Sequence, residues 1–196
     1  MTDRLPTSHF AQRNGHGFVL WLTGLSAAGK STIAGLVAEK LEQRGVLVDR
    51  LDGDVVRTHL TKGLGFSKED RDTNIERIGW VASRLARAGV AVIVSAISPY
   101  EEARQKARAL TEEHAPFVLV HVATSLEECE RRDPKGLYAM AHAGEISEFT
   151  GVSDPYEEPT DPELRLATEG RTPEQSVAVV LAKLEELGLI KDEVAA

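Results

Sequence analysis

The sequence predicts an α/β fold, a parallel five-stranded sheet with helices on both faces, and three observations point there. Apolar runs of strand length recur through the 196-residue chain and alternate with stretches of helical periodicity. Some of these runs, Val90 to Ala96 above all, are apolar almost throughout, as in strands buried on both faces. A glycine-rich turn directly follows the first run, at the sheet edge where parallel strands present their ligand-binding loops.

The elements follow in order. Gly17 to Leu22 is the first strand. Lys30 to Arg44 is a helix, with Ile33, Leu36, Val37 and Leu41 at helical spacing, and Gly45 stops it. Val46 to Leu51 is the second strand, ended by Asp52-Gly53-Asp54. Ser67 caps a helix that runs to about Ala88, with Ile75, Ile78, Ala82 and Leu85 as its inner stripe. Val90 to Ala96 is the third strand, Glu101 to Glu113 a helix, Phe117 to Val122 the fourth strand, and Leu126 to Arg132 the start of another helix. Leu164 to Thr168 is a weak fifth strand. Thr172 caps the last helix, with Pro173 at its first position. Trp21, Trp80 and His121 are expected in the core. Ser153 to Pro162, rich in Pro, Asp and Glu, is expected to cross the surface in ordered form. Residues 1–16 read as a polar leader and 17–196 as a single domain, with a lid region at about 130–150.

Composition narrows the function classes. Hydrophobic residues make up 42% and charged residues 28%, which is ordinary for a globular domain. The formal net charge of −8 argues against a general binder of nucleic acid, so any bound anion must be held by local basic groups and backbone amides. No apolar run approaches a membrane span, and the N-terminal stretch lacks the apolar middle of a signal peptide, so cytoplasm is the expected address. The single cysteine, Cys129, excludes an internal disulfide. The histidines show no zinc-ligand spacing.

Gly24-Leu25-Ser26-Ala27-Ala28-Gly29-Lys30-Ser31 fits the phosphate-binding P-loop pattern, with Thr32 after it, and it lies between a strand and a helix, as the mechanism needs. The glycines permit backbone shapes closed to other residues, the loop amides form an anion nest, and the helix start adds its positive end. Lys30 is placed for the β- and γ-phosphates of ATP, Ser31 for Mg²⁺, and Thr32 for the α-phosphate. With this motif the predicted fold becomes the three-layer sandwich of P-loop NTPases. A glycine-rich turn without a ligand is the plainer alternative.

A P-loop specifies a nucleotide, not a reaction. The third strand ends in Ser95-Ala96, without an acidic residue, so the carboxylates come from the neighbouring strand end. Asp54 is the candidate for accepting a hydroxyl proton, and Asp52 or Asp54 for positioning the metal. Both could instead serve only as turn and capping residues. Arg57, Arg71 and Asn74 form a second polar cluster, Arg71 and Asn74 sharing one helical face. Phe66, flanked by glycine, suits stacking on a purine or stapling of the following helix. Glu130 to Tyr138 concentrates basic groups, with Arg131 as the expected ATP contact, in a segment able to close over the nucleotide.

Together these pieces resemble the adenylyl-sulfate kinase family over roughly Gly17 to Leu189. The resemblance rests on the P-loop, Leu51-Asp52-Gly53-Asp54, Gly65-Phe66-Ser67-Lys68-Glu69-Asp70-Arg71, Asn74-Ile75, Ile97-Ser98-Pro99-Tyr100, Arg132-Asp133-Pro134-Lys135-Gly136-Leu137-Tyr138, Gly144-Glu145-Ile146 and Phe149-Thr150-Gly151. It implies phosphorylation of the 3′-hydroxyl of adenylyl sulfate by Mg-ATP, with Asp54 as base or orienting group. It also implies that Arg57, Arg71 and Asn74 hold the phosphosulfate, Phe66 and Phe149 sandwich the adenine, Ile97 and Ser98 line the acceptor pocket, and Lys135 reaches the phosphates. The family's serine matching Ser98 has been assigned as a phosphoserine intermediate, whereas direct in-line transfer needs Ser98 only to bind. A homodimer and contact with a separate ATP sulfurylase are further implications. Ala27 stands where the family commonly has glycine, and Ala139, Met140 and His142 where it commonly has basic residues. A sister kinase for another phosphate-bearing nucleotide, such as a cytidine diphosphate derivative, and a binding module without catalysis are the competing readings.

Overall fold

The computed structural model describes residues 17–191, so the polar leader lies outside the described residues. The elements are β1 (Phe18–Thr23), α1 (Lys30–Gln43), β2 (Val48–Asp52), α2 (Gly53–His59), α3 (Lys68–Arg87), β3 (Ala91–Ser95), α4 (Glu101–Glu112), β4 (Phe117–Val122), α5 (Leu126–Arg132), α6 (Leu137–His142), β5 (Leu164–Leu166) and α7 (Pro173–Glu186). The strands form one sheet in the order β2-β3-β1-β4-β5, and every pairing is parallel. The predicted sheet and its five strands are therefore present. Among the described residues no helix is long and apolar enough to cross a membrane.

β1 sits at the centre and is buried at every position. Strand alternation sends Phe18, Leu20 and Leu22 into a core shared with α1 and α7 and Val19 and Trp21 into a second core shared with α3 and α4. Burial of each such side chain contributes about 1.5–3 kcal/mol, which explains why the sequence of β1 carries no polar residue before Thr23.

Helix starts follow their expected chemistry. Ser67 accepts from the Asp70 amide at 3.2 Å to open α3. Thr172 and Gln175 form a reciprocal capping box at α7. Cys129 is buried on α5, and His121 is buried against the Tyr156 ring, 5.8 Å between centroids.

Trp80 departs from expectation, being 55% exposed with the Arg84 guanidinium 5.7 Å from its ring. It lies two residues after buried Ile78, which puts it about 200° away on the helical wheel and off the inner stripe. Two short helices also differ from the sequence reading. α2 and α6 have seven and six residues, too few for a periodic signal.

Candidate active site

The phosphate loop joins β1 to α1. Gly24 has φ of 147°, and a Cβ there would lie 2.5 Å from the Val122 carbonyl oxygen, so only glycine fits. Ala27 takes the left-handed conformation at φ of 58° although it carries a Cβ, at a cost of about 1–2 kcal/mol. Lys30 is buried, and its Nζ donates to the carbonyls of Gly24 at 2.9 Å and Leu25 at 2.7 Å. Burial lowers its pKa to about 8, against the attraction of Asp52 and Asp54. Ser26, Ala27 and Gly29 to Thr32 line the cleft, whereas Gly24, Leu25 and Ala28 form the back of the loop.

The carboxylates arrive from β2, beyond β3. Asp52 pairs in register with Ser95, and Ser95 with Leu22, which sets these strand ends side by side. Asp52 caps α2, accepting from the Asp54 amide at 3.0 Å, and its other oxygen accepts from Ser31 Oγ at 2.7 Å and Ser95 Oγ at 2.8 Å. Burial works to raise the Asp52 pKa, but these hydrogen bonds outweigh it and hold the carboxyl below its usual range. The capping alternative is thus observed for Asp52 together with contact to the phosphate loop. Asp54 projects into the cleft from the first turn of α2, where its carboxylate pairs with Lys135.

Opposite the loop, the Arg57 guanidinium lies 4.4 Å and that of Arg71 5.5 Å from the centroid of the Phe66 ring. Burial and the proximity of Arg71 lower the Arg57 pKa. Phe66 itself remains 52% exposed. Arg71 is buried. It donates to the Phe66 carbonyl at 2.7 Å, to Thr150 Oγ1 at 3.0 Å and to the Glu148 carbonyl. Asn74 is also buried, its Oδ1 accepting from Thr61 at 2.8 Å. Phe149 meets the edge of Tyr138 at 5.0 Å, and Tyr138 donates to the Ser26 carbonyl at 3.1 Å, which couples this wall to the phosphate loop.

Ile97 and Ser98 complete the wall. Ser98 is buried at φ of 48°, and its hydroxyl accepts from the Trp21 indole at 2.9 Å. One cleft of about 760 Å³ thus brings together the phosphate loop, Asp52, Asp54, Arg57, Phe66, Arg71, Asn74, Ile97, Ser98, Lys135 and Phe149. Arg131 does not join them. It is exposed and paired with Glu128 at 2.6 Å, while Arg132 approaches the Ala28 carbonyl at 3.4 Å. Adjacent helical residues point about 100° apart, so only one of the two can face the loop. Sequence reasoning missed Trp21, Arg104, Tyr138 and Thr150, whose partners lie far along the chain.

Among the described residues no three His, Cys, Asp or Glu side chains cluster as a metal site. A divalent cation of the magnesium type needs few protein ligands when phosphates and waters supply the rest. The adjacent oxygens of Ser31 and Asp52 fit that requirement.

A parallel sheet with a phosphate loop at its central strand and a second, aromatic- and arginine-lined wall facing it defines a P-loop nucleotide-binding enzyme fold. The family model for adenylylsulphate kinase matches residues 16–167. An adenylyl-sulfate kinase of Picosynechococcus is 56% identical over 174 residues, covering 89% of this chain and 97% of the relative. One from Rippkaea orientalis is 55% identical over 179 residues, covering 91% and 97%. Among solved structures, the Mycobacterium tuberculosis APS kinase in complex with AMPPNP and APS superposes with a TM-score of 0.84 at 45% identity, covering 87% of this chain and 99% of that one. The chain belongs to the adenylyl-sulfate kinase family.

Proposed function

We propose that this protein transfers the γ-phosphate of ATP to the 3′-hydroxyl of adenylyl sulfate, giving 3′-phosphoadenylyl sulfate and ADP. The observation that carries the reading is the shared cleft, lined at once by the phosphate loop, Asp54, Phe66 and Phe149. A mycobacterial relative of the same fold was solved with an ATP analogue and APS together, in keeping with a two-nucleotide cleft.

In this reading the amides of the loop and the Lys30 ammonium hold the phosphates, and Thr32 assists at the α-phosphate. Lys30 exchanges its two carbonyl partners for phosphate oxygens. Ser31 and Asp52 would hold a magnesium ion, which supplies charge neutralisation at the phosphates. Phe66 and Phe149 stack on the acceptor base, while Arg57 offers its guanidinium to the phosphosulfate. Arg71 and Asn74, already bonded to protein groups, fix the wall around it. The acceptor O3′–Pγ bond forms as the bond from Pγ to the β,γ-bridging oxygen breaks, and the O3′ proton passes to Asp54. Ser98 contributes to binding, and its hydroxyl oxygen is already held by Trp21. Direct transfer therefore needs no covalent intermediate on it.

The test is turnover. Purified protein with Mg-ATP and adenylyl sulfate should form 3′-phosphoadenylyl sulfate, and Asp54→Ala should lose at least about a hundredfold in rate, the typical scale of general base catalysis. ATP binding without any acceptor-dependent product would refute the assignment.

A further inference from the structure

We propose that Arg104, outside every motif singled out in the sequence, is a positioning residue for the acceptor half of the cleft. The inference rests on the acceptor reading given above. Arg104 lies on α4, and its side chain is fully buried in the second core. A buried guanidinium is unfavourable unless its donors are satisfied, so an apolar residue would serve packing alone better. Its donors are spent on particular targets. Nη1 donates to the Ser98 carbonyl at 2.5 Å, and Nη2 to the Glu157 carbonyl at 2.6 Å. Nε and Nη2 both donate to the Glu101 carboxylate, at 3.1 and 2.5 Å.

Ser98, like Ala27 and Glu148 on the same cleft, takes a strained left-handed backbone conformation. Such a conformation persists only when its surroundings over-determine it, and Arg104 supplies that restraint from behind. Thr23 assists by donating to the Ile97 carbonyl at 2.6 Å. The second carbonyl clamped by Arg104 belongs to the segment that follows Phe149, which Arg71 holds at its other end through Thr150 and Asp154. The Glu157 amide closes the arrangement on the Pro99 carbonyl at 2.8 Å. One planar, forked cation thus locks the Ile97–Ser98 turn to the segment continuing from Phe149, while none of its hydrogen bonds reaches the phosphate loop.

The experiment compares wild type with Arg104→Lys and Glu101→Gln in steady-state kinetics, varying adenylyl sulfate and Mg-ATP separately. A lysine cannot span two carbonyls and a carboxylate at once. We expect kcat/KM for adenylyl sulfate to fall by about ten- to a hundredfold in Arg104→Lys, the scale of a small misplacement of substrate. The KM for Mg-ATP should stay within about twofold. Glu101→Gln keeps the fork but weakens its anchor, so it should shift the same parameter in the same direction by less. It carries the test if Arg104→Lys does not fold. Equal losses for both substrates, or no loss for either, would reduce Arg104 to a packing residue. A wild type inert toward adenylyl sulfate would instead overturn the acceptor reading, and this inference with it.

Discussion

The ammonium of Lys135, in the lid region, is paired with the carboxylate of Asp54, and both line the same cleft as the phosphate loop. Both side chains are largely exposed, at 60% and 74%, so the pair adds little to stability. Its significance lies in what each group must do next. In the proposed reaction Asp54 has to be free to meet the acceptor hydroxyl, and Lys135 turns to the phosphates as they enter. We predict that Lys135→Met changes unfolding stability by less than about 1 kcal/mol yet lowers turnover at saturating substrates by at least about tenfold. Denaturant titration beside initial rates measures both, and an unchanged rate would remove Lys135 from the reaction.

Phe66 gives the cleanest separation of stability from function. It is half exposed and meets the cleft beside two guanidinium groups. Phe66→Ala should leave stability within about 0.5 kcal/mol, as for an exposed site. Loss of one base-stacking contact, about 1–3 kcal/mol, should raise the KM for adenylyl sulfate at least about fivefold. An unaltered KM would mean that the ring does not stack on the acceptor.

We predict that Lys30, placed on the phosphates in the proposed reaction, gives nucleotide binding a pH dependence. Its pKa is lowered to about 8 by burial in the ligand-free protein, and the negative phosphates of ATP raise it again. Above pH 8, binding must therefore take up a proton, so affinity falls as pH rises, by up to about tenfold per unit. Lys30→Arg keeps its charge throughout and should bind more weakly but with a flat profile over that range. Calorimetric titration between pH 7 and 9.5, values set about the expected midpoint, distinguishes the two. A flat wild-type curve would contradict the assignment of Lys30 to the phosphates.

Ala27 holds a left-handed backbone at the tip of the phosphate loop. Ala27→Gly removes the steric cost and should stabilise the protein by up to about 1 kcal/mol after allowance for glycine's greater freedom when unfolded. Ala27→Val should destabilise it, since a β-branched residue tolerates that region poorly. Thermal unfolding of the two variants reads the sign directly.

The central strands β1, β3 and β4 were legible because they are buried throughout and written in nearly unbroken apolar runs, with Phe117–Val122 found to the residue. The phosphate loop was legible because its chemistry is local, eight residues running from the end of one strand into the first turn of one helix. Tyr138, Trp21 and Arg104 were not, because each acts on a partner 53 to 112 positions away, through contacts that exist only after the chain has folded. Arg131 and Arg132 show the same limit at closer range. Composition marks the pair as basic, but only the helical phase of α5 decides which of them faces the loop. Trp80 was misplaced because an aromatic residue inside an amphipathic helix reads as core until its angle from Ile78 is considered.

The sheet order carries a consequence for how this chain comes off the ribosome. β1 is made first, yet its two neighbours are β3 and β4, and Gly24 packs against the carbonyl of Val122, the last residue of β4. The nascent chain therefore cannot shape its nucleotide cradle until residue 122 has left the exit tunnel. At about 5–20 residues per second, the apolar β1 waits for several seconds without partners on either edge.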